Sequence, residues 1–161
     1  MAGDTVSWAD FERADPTLAR RTQERLESHR HAVLATLRAD GSPRLSGMEA
    51  PIRSGHLWLA MMPGSLKAED LGREPRYSLH SALDSEDLPE GDARIEGVVV
   101  PADTGQQAEF VAGHRYPVTD PSAMELYVAL IGRVVLVRVQ EDSLLIESWT
   151  PSGGRSTQRR Q

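Results

Sequence analysis

The residues that could form a functional site, judged by their types and spacing, lie close together at one turn of the chain. The tripeptide Pro63-Gly64-Ser65 leads into a segment with helical spacing, and Lys67 follows in what would be the first helical turn. A helix N-terminus presents free N–H groups and the positive end of the helix dipole, which together suit a phosphate group. The spacing therefore predicts an anion cradle at Ser65 and Lys67, to which Arg44 or Arg76 could add forked contacts.

A purely structural interpretation of the same residues is also open. Ser65 could be only the N-cap of the helix, and Lys67 could be only a solvated side chain. Lys67 is the single lysine in a chain that has 17 arginines. A GC-rich genome explains such a bias, and a lysine retained at this one position favours a specific role.

Other kinds of site find little support in the sequence. The chain has no cysteine, and of its five histidines only His29 and His31 are close enough in sequence to suggest a metal pair. No carboxylate lies near that pair, and the acidic segment over 83–92 lacks the spacing of a calcium loop. No G-x-S-x-G elbow is present. The sequence therefore predicts no metal site and identifies no catalytic acid or base.

Length and net charge limit the classes of protein to which this chain can belong. The chain has 161 residues and a formal net charge of -6, which argues against a nucleic-acid or anionic membrane surface. The first residues are polar, without a secretory pattern, and no apolar run approaches the roughly 20 residues that span a bilayer. We expect a cytoplasmic protein with a lead-in over 1–14, one domain over 15–150 and a flexible basic tail over 151–161.

The elements that must position the cradle follow from periodicity and turn signals. Helices are predicted over 16–28, 65–74 and 104–113, with a further short one from 121. Strands are predicted over 31–38, 43–53, 56–62, 76–82, 93–100, 127–139 and 144–149. Asp40-Gly41 predicts a type I′ hairpin turn, which needs positive φ at both residues. These elements indicate a mainly β (α+β) fold, a closed or nearly closed antiparallel barrel with short flanking helices.

The chain resembles a known family in three segments, L-A-T-L-R-A-D-G-S-P-R-L-S, L-W-L-A-M-M-P-G-S-L-K-A-E-D-L and E-P-R-Y-S-L-H-S. The resemblance is to the pyridoxamine 5′-phosphate oxidase-like split β-barrel family of flavin and deazaflavin oxidoreductases, and it extends over about 11–149. It is greatest for actinobacterial members that bind FMN or F420. The resemblance implies a six-stranded antiparallel split β-barrel that forms a homodimer, with two cofactor sites at the dimer interface.

The resemblance also implies which residues form the cofactor site. They are Arg44, Leu45, Ser46, Met61, Ser65, Leu66, Lys67 and Trp149. In the family the S-x-K element holds the cofactor phosphate, and a C-terminal tryptophan of the partner chain covers the ring. Family members usually have arginine where this chain has Leu66, so one phosphate donor is missing.

The function implied by the resemblance is that of an oxidoreductase. The cofactor, FMN or F420, would carry hydride to or from a small conjugated substrate, and the protein would orient the two. A true pyridoxamine phosphate oxidase is not expected, because the tail lacks a clear match to the substrate-binding arginine and histidine of those enzymes. Two alternatives stay open: a non-catalytic flavin- or haem-binding or ligand-free protein on the same scaffold, and an unrelated β-barrel with a fortuitous S-x-K.

Overall fold

The computed structural model describes residues 3–83 and 90–161, and within them nine strands form one antiparallel sheet flanked by short helices. The strands are β1 (Ala32–Leu37), β2 (Pro43–Met48), β3 (Ile52–Arg53), β4 (His56–Met61), β5 (Arg76–His80), β6 (Asp92–Pro101), β7 (Glu125–Gln140), β8 (Ser143–Thr150) and β9 (Gly154–Arg160). The helices are α1 (Trp8–Ala14), α2 (Pro16–Glu27), α3 (Leu66–Arg73) and α4 (Thr104–Ala112), with a 3₁₀ turn at Pro121–Ala123. This confirms the predicted mainly β fold class. Most of the acidic segment predicted to be a solvated loop, residues 84–89, lies outside the described residues.

The sheet is a split barrel that does not close. Its order is β2-β1-β5-β6-β7-β4-β3, so β2 and β3 lie at opposite ends. The long strand β7 pairs with β6 along one edge, and along the other edge it pairs first with β4 and then with β8. Val6 bridges Ile131 between those two partners. In the part of the chain that the structure describes, β2 therefore has only β1 as a neighbouring strand, and its second edge is free of strand pairing.

The N-terminal residues are part of the core rather than a simple lead-in. Ser7 and Asp10 form a capping box at the start of α1, and Asp15 caps α2 immediately afterwards. Trp8 and Phe11 are buried in the main hydrophobic cluster, which lies between these helices and the inner face of the sheet. The helix predicted over 16–28 is confirmed as α2.

The return strand predicted over 43–53 is divided in two. Strand β2 ends at Met48, and β3 begins at Ile52 as the first strand of a separate hairpin with β4. Pro51 lies between them and has no N–H to donate to a ladder. The Pro51 carbonyl instead accepts from the N–H of Trp58 (3.0 Å). The barrel stays open at this point because the chain leaves one end of the sheet and joins the other.

The type I′ turn predicted at Asp40-Gly41 is wrong. Only Gly41 has a positive φ (82°), and the N–H of Arg38 donates to the carbonyl of Ser42, which leaves a three-residue loop. The turn with positive φ at both central residues is at Ser54-Gly55 (53° and 74°), between β3 and β4. The hairpin between β1 and β2 is present as predicted, but its turn has one residue more.

The flexible tail predicted over 151–161 is also wrong, because Gly154–Arg160 forms strand β9 on the edge of β8. The guanidinium of Arg155 holds it there: Nε donates to Asp15 Oδ2 (2.7 Å), and Nη1 lies 3.4 Å from Glu147 Oε1. Both carboxylates are buried. Arg155 also lowers the pKa of Asp15 through its hydrogen bond. Asp15 is far from Arg155 in sequence, so no local pattern of the tail could have indicated this contact.

We expect Arg155→Met to loosen β9. The substitution leaves Asp15 without its guanidinium partner, and the loss should be about 1–3 kcal/mol, below the range for fully buried pairs because Arg155 is partly exposed. Hydrogen exchange of the 154–160 amides would measure it. Arg159→Met is the matched control, because Arg159 is on the same strand and its one ion pair within the described residues is with the exposed Glu141 (3.8 Å). Equal exchange in both variants would contradict the prediction.

We expect Gly97→Ala to destabilise the sheet at its bulge. The ladder between β6 and β7 shifts register at Gly97, and a Cβ there would lie 1.9 Å from the Leu130 carbonyl oxygen. Because the obstacle is backbone, we expect a loss of about 1–3 kcal/mol in the free energy of unfolding, measured by urea denaturation. Gly47→Ala on β2 is the control, since no described residue other than its chain neighbours has an atom within 4 Å of its Cβ position.

Candidate functional site

The candidate site lies where the start of α3 meets the free end of the sheet. After β4, the turn at Gly64 (φ 70°) directs the chain into α3, which packs against β1. The Asp70 side chain of α3 bonds both Thr36 of β1 and Arg44 of β2. Helix α3, which follows β4, is thereby held to β1 and β2, although β4 and β2 are far apart in the order of the sheet.

Asp70 is a buried carboxylate with three donors. Its Oδ2 accepts from Thr36 Oγ1 (2.8 Å) and from Arg44 Nε (2.7 Å), and its Oδ1 accepts from Arg73 Nη2 (3.2 Å). Only 3% of the residue is exposed. The hydrogen bond from Arg44 is the main cause that lowers the pKa of Asp70 to about 2. Asp70 is therefore an anion at neutral pH.

The start of α3 carries two polar groups without protein partners. Ser65 occupies the N-cap position, yet its side chain makes no capping bond, and its buried Oγ has no hydrogen-bond partner among residues 3–83 and 90–161. Lys67 is half-buried and forms no ion pair with the residues that the structure describes. A cation in the first turn faces the positive end of the helix dipole, which is unfavourable without an anion nearby. The N-cap interpretation therefore leaves the Ser65 hydroxyl without a role, whereas a Lys67 without an ion pair is also what a solvated side chain would show.

Two further neighbours shape this turn. The N–H of Gly64 is not free, because it donates to the Glu125 carboxylate (3.1 Å). Leu66 stands between Ser65 and Lys67 with 58% of its surface exposed and offers no donor. The groups of the turn that could bind an anion are therefore the Ser65 hydroxyl, the Lys67 ammonium and the N–H groups of the first helical turn.

The predicted residues of β2 divide between the two faces of the sheet. Arg44 lies opposite the buried Thr36, and Ser46 lies opposite the buried Leu34, so both are on the inner face. Leu45 points to the outer face and is 72% exposed. Arg44 is the member of this group that the structure brings to α3.

Two of the predicted side chains are not accessible. Met61 is buried in the main cluster at the end of β4. Trp149 is only 4% exposed and packs on Phe11, with 4.7 Å between ring centroids. The expectation that Trp149 covers the ring in a partner's site is therefore wrong: its indole fills the core under α1.

A cavity of 450 Å³ lies over β1, β5, β6 and the bend of β7, and Thr36, the partner of Asp70, is part of its lining. Its lining includes Leu37, Pro43, Arg76, Glu96, Val98 and Arg133. None of the eight predicted site residues lines it. Arg76, which the sequence placed near the cradle, borders this cavity and pairs with Glu74 (2.8 Å).

Sequence reasoning missed Asp70 and Thr36, although one signal was available. The alternation of β2 places Arg44 on the inner face, and a guanidinium at such a position needs a buried acceptor. Asp70 shares a helix face with apolar residues, so it was a candidate for the buried acceptor of Arg44. The partner could not be chosen from spacing alone.

The donor set suits a ligand that carries a phosphate. Ser65, Lys67 and the N–H groups at the start of α3 could bind such an anion, and Arg44, held by Asp70 of the same helix, has both Nη atoms available. Metal binding has no comparable support: no group of three or more histidine or acidic residues that could hold a metal occurs within the described ranges. No helix in those ranges is long and apolar enough to cross a membrane.

Comparisons with known proteins agree with the fold and the resemblance. The sequence profile of the pyridoxamine 5′-phosphate oxidase family matches residues 18–141, well over half of the chain. A heme binding protein from Mycobacterium smegmatis has a similar structure, with a TM-score of 0.66 and 24% identity over 84% of this chain. The chain spans only 58% of that protein's length. Among curated proteins, no sequence match was found.

Two other solved structures cover nearly all of this chain. PhzG from Burkholderia lata 383, solved in complex with tetrahydrophenazine-1-carboxylic acid, has a TM-score of 0.71 and 12% identity over 94% of this chain and 92% of its own. A pyridoxamine 5′-phosphate oxidase-related, FMN binding protein from Nostoc punctiforme has a TM-score of 0.64 and 16% identity over 91% and 96%. At these identities the similarity shows the fold. Together with the sequence profile, it establishes that this chain belongs to the pyridoxamine 5′-phosphate oxidase family.

Proposed function

We propose that this protein is an oxidoreductase that binds FMN or F420 between the start of α3 and the free edge of β2. The observation that carries the proposal is the pair of unpartnered groups, Ser65 and Lys67, at the start of the helix whose Asp70 holds the guanidinium of Arg44. The substrate would be a small conjugated molecule. When bound, the cofactor would supply hydride transfer, and the chain's own residues would bind and orient.

The phosphate end of the cofactor would be held by charge. The Lys67 ammonium and the N–H groups of the first turn of α3 would bind its oxygens. A rotation about χ1 would bring Ser65 Oγ to the same anion. Arg44 would add its Nη atoms, since only its Nε is engaged with Asp70. Each of these contacts satisfies a group that otherwise has no partner among the described residues.

The ring would lie along β2. The second edge of this strand has no strand partner within the described residues, so its N–H and C=O groups can bond the polar edge of a ring. The exposed side chain of Leu45 is the apolar surface that the strand offers. Ser46, on the opposite face, would contribute its main chain. Met61 would not touch the ring, because its side chain is in the core. Its role would be to anchor the turn after β4.

We also propose that the protein is a homodimer and works in the cytoplasm. Val33, Leu45 and Val100 are apolar residues with substantial exposure on the sheet, and a second copy would remove such surface from water. The net charge of -6 favours neither nucleic acid nor an anionic membrane as a partner. Sedimentation velocity would test the dimer.

A second candidate is a non-catalytic flavin or haem carrier, or a barrel without a ligand. Leu66 favours it, because the side chain at this position is exposed and apolar where the family usually has an arginine. Heme proteins also occur among the structural relatives, including the heme storage protein HutZ from Vibrio cholerae. Folds persist while their sites change, so the family alone does not decide between these functions.

One titration separates the candidates. The purified protein is titrated separately with FMN, F420 and haem, each followed by its own absorption spectrum. Binding of FMN or F420, followed by cofactor-dependent reduction of a conjugated acceptor, supports the oxidoreductase. Binding of haem alone supports the carrier. A protein that binds none of the three contradicts the cofactor site.

We expect Lys67→Ala to weaken FMN or F420 binding by about 1.5–3 kcal/mol, the range for a hydrogen bond to a charged group. Isothermal titration calorimetry would measure the change. Leu66→Ala is the matched control, because it removes the neighbouring side chain, which has no donor. Unchanged affinity in Lys67→Ala would overturn the assignment of the cradle.

A further inference from the structure

We propose that Asp70 is a positioning residue for the phosphate end of the cofactor, acting through Arg44. This inference rests on the proposed cofactor site at α3. Asp70 takes the Nε of Arg44 (2.7 Å) and so leaves both Nη atoms of the guanidinium for a ligand phosphate. The ligand class that Asp70 selects is a flavin or deazaflavin that carries this phosphate, as opposed to the bare ring.

The first step concerns the orientation of the carboxylate. Thr36 Oγ1 fixes Oδ2 from the buried side of β1, and Arg73 Nη2 fixes Oδ1 from within α3. Arg73 Nη2 also donates to the Leu37 carbonyl (2.7 Å), so its own position is set by β1. The carboxylate is thus held from two elements before Arg44 is considered.

The second step concerns the guanidinium. Arg44 is on β2, an edge strand, and a long side chain there would sample many rotamers without a fixed partner. Its side chain is 19% exposed, and Asp70 Oδ2 is its one bonded partner among the described residues. The N–H groups on both Nη atoms have no protein acceptor in those ranges. Because a guanidinium is planar, fixing Nε and its direction also fixes where the Nη atoms point.

The third step weighs the charge of Asp70 against its position. A carboxylate beside a phosphate site repels the phosphate, so by this effect alone the loss of the Asp70 charge would strengthen phosphate binding. Here the guanidinium of Arg44 lies against one carboxylate oxygen and that of Arg73 against the other, so both oxygens carry a cationic donor. The repulsion is therefore screened by two cations, and the orientation of Arg44 is the larger effect. A purely structural ion pair between α3 and the sheet would affect unfolding but not the choice between ligands.

The test compares FMN with riboflavin, which has the same ring and no phosphate. We expect Asp70→Asn to weaken FMN binding about tenfold or more, as for loss of a charge-assisted contact, and to leave riboflavin binding unchanged. The measured quantity is the ratio of the two dissociation constants. If the wild type binds F420 instead, the matched pair is F420 and its deazaflavin ring without the phosphate.

Controls separate positioning from folding. Asp15→Asn breaks the contact of another buried carboxylate with an arginine, Arg155 of β9, and touches no residue of the proposed site, so the ratio should stay close to the wild-type value. Should Asp70→Asn not fold, Arg44→Lys tests the same point, since lysine keeps the charge and lacks the planar fork; it should lose the preference for the phosphate-bearing ligand.

The outcomes are distinct for the two proposals. A wild-type protein that binds FMN and F420 no more tightly than their phosphate-free rings overturns the cofactor site itself. If the wild type prefers the phosphate-bearing ligand and the Asp70→Asn variant keeps that preference, only the proposed role of Asp70 is overturned. This holds whatever the melting temperature of the variant. Full retention of the preference in Arg44→Lys overturns that role as well.

Discussion

The buried carboxylate of Asp70 is the interaction on which the arrangement of the open sheet and its site depends. A charge that is almost fully removed from water must be matched by donors, and here the donors come from β1, from β2 and from α3 itself. Removing any one of them would leave part of the charge unmatched, so the three elements are held in one relative position. This explains how a barrel that does not close still holds α3, the helix after β4, to the strand at the other end of the sheet.

A second set of arginine and carboxylate contacts holds the C-terminal end of the chain. Asp15 caps α2 and also accepts from Arg155 of β9, and Glu147 of β8 accepts from Arg21 of α2 (2.7 Å). Strand β9 itself buries none of its side chains, so apolar packing contributes little to its position. In both clusters, guanidinium forks join elements that hydrophobic packing alone would leave loosely oriented. The strong bias of this chain to arginine is used for tertiary contacts as well as for surface charge.

Lys67 differs from these arginines, because no carboxylate of the described residues pairs with it. The arginines of the two clusters satisfy carboxylates of the protein, whereas Lys67 stands in the first turn of α3 without an ion pair in the described ranges, where the helix dipole disfavours a cation. Ser65 is similar, because its hydroxyl occupies an N-cap position and does not cap. Groups that a fold leaves unsatisfied are candidates for ligand contacts, since they lower stability when nothing is bound. This contrast, more than the family resemblance, distinguishes the turn at α3 from the other helix starts, whose caps are complete.

Local signals in the sequence determined much of this protein. The cap and proline at Asp15-Pro16, the apolar alternation of β1 and β4, and the start of α3 after Ser65 are decided by neighbours within a few residues, and their prediction is confirmed. The S-x-K spacing likewise identified the turn that carries the unpartnered groups. The tertiary structure alone decided which distant residues meet. Asp70 became the partner of Arg44, Trp149 entered the core on Phe11, and the polar tail became β9 through Asp15. These outcomes depend on burial and on contacts between residues 26 to 140 positions apart, whose energies no local spacing encodes.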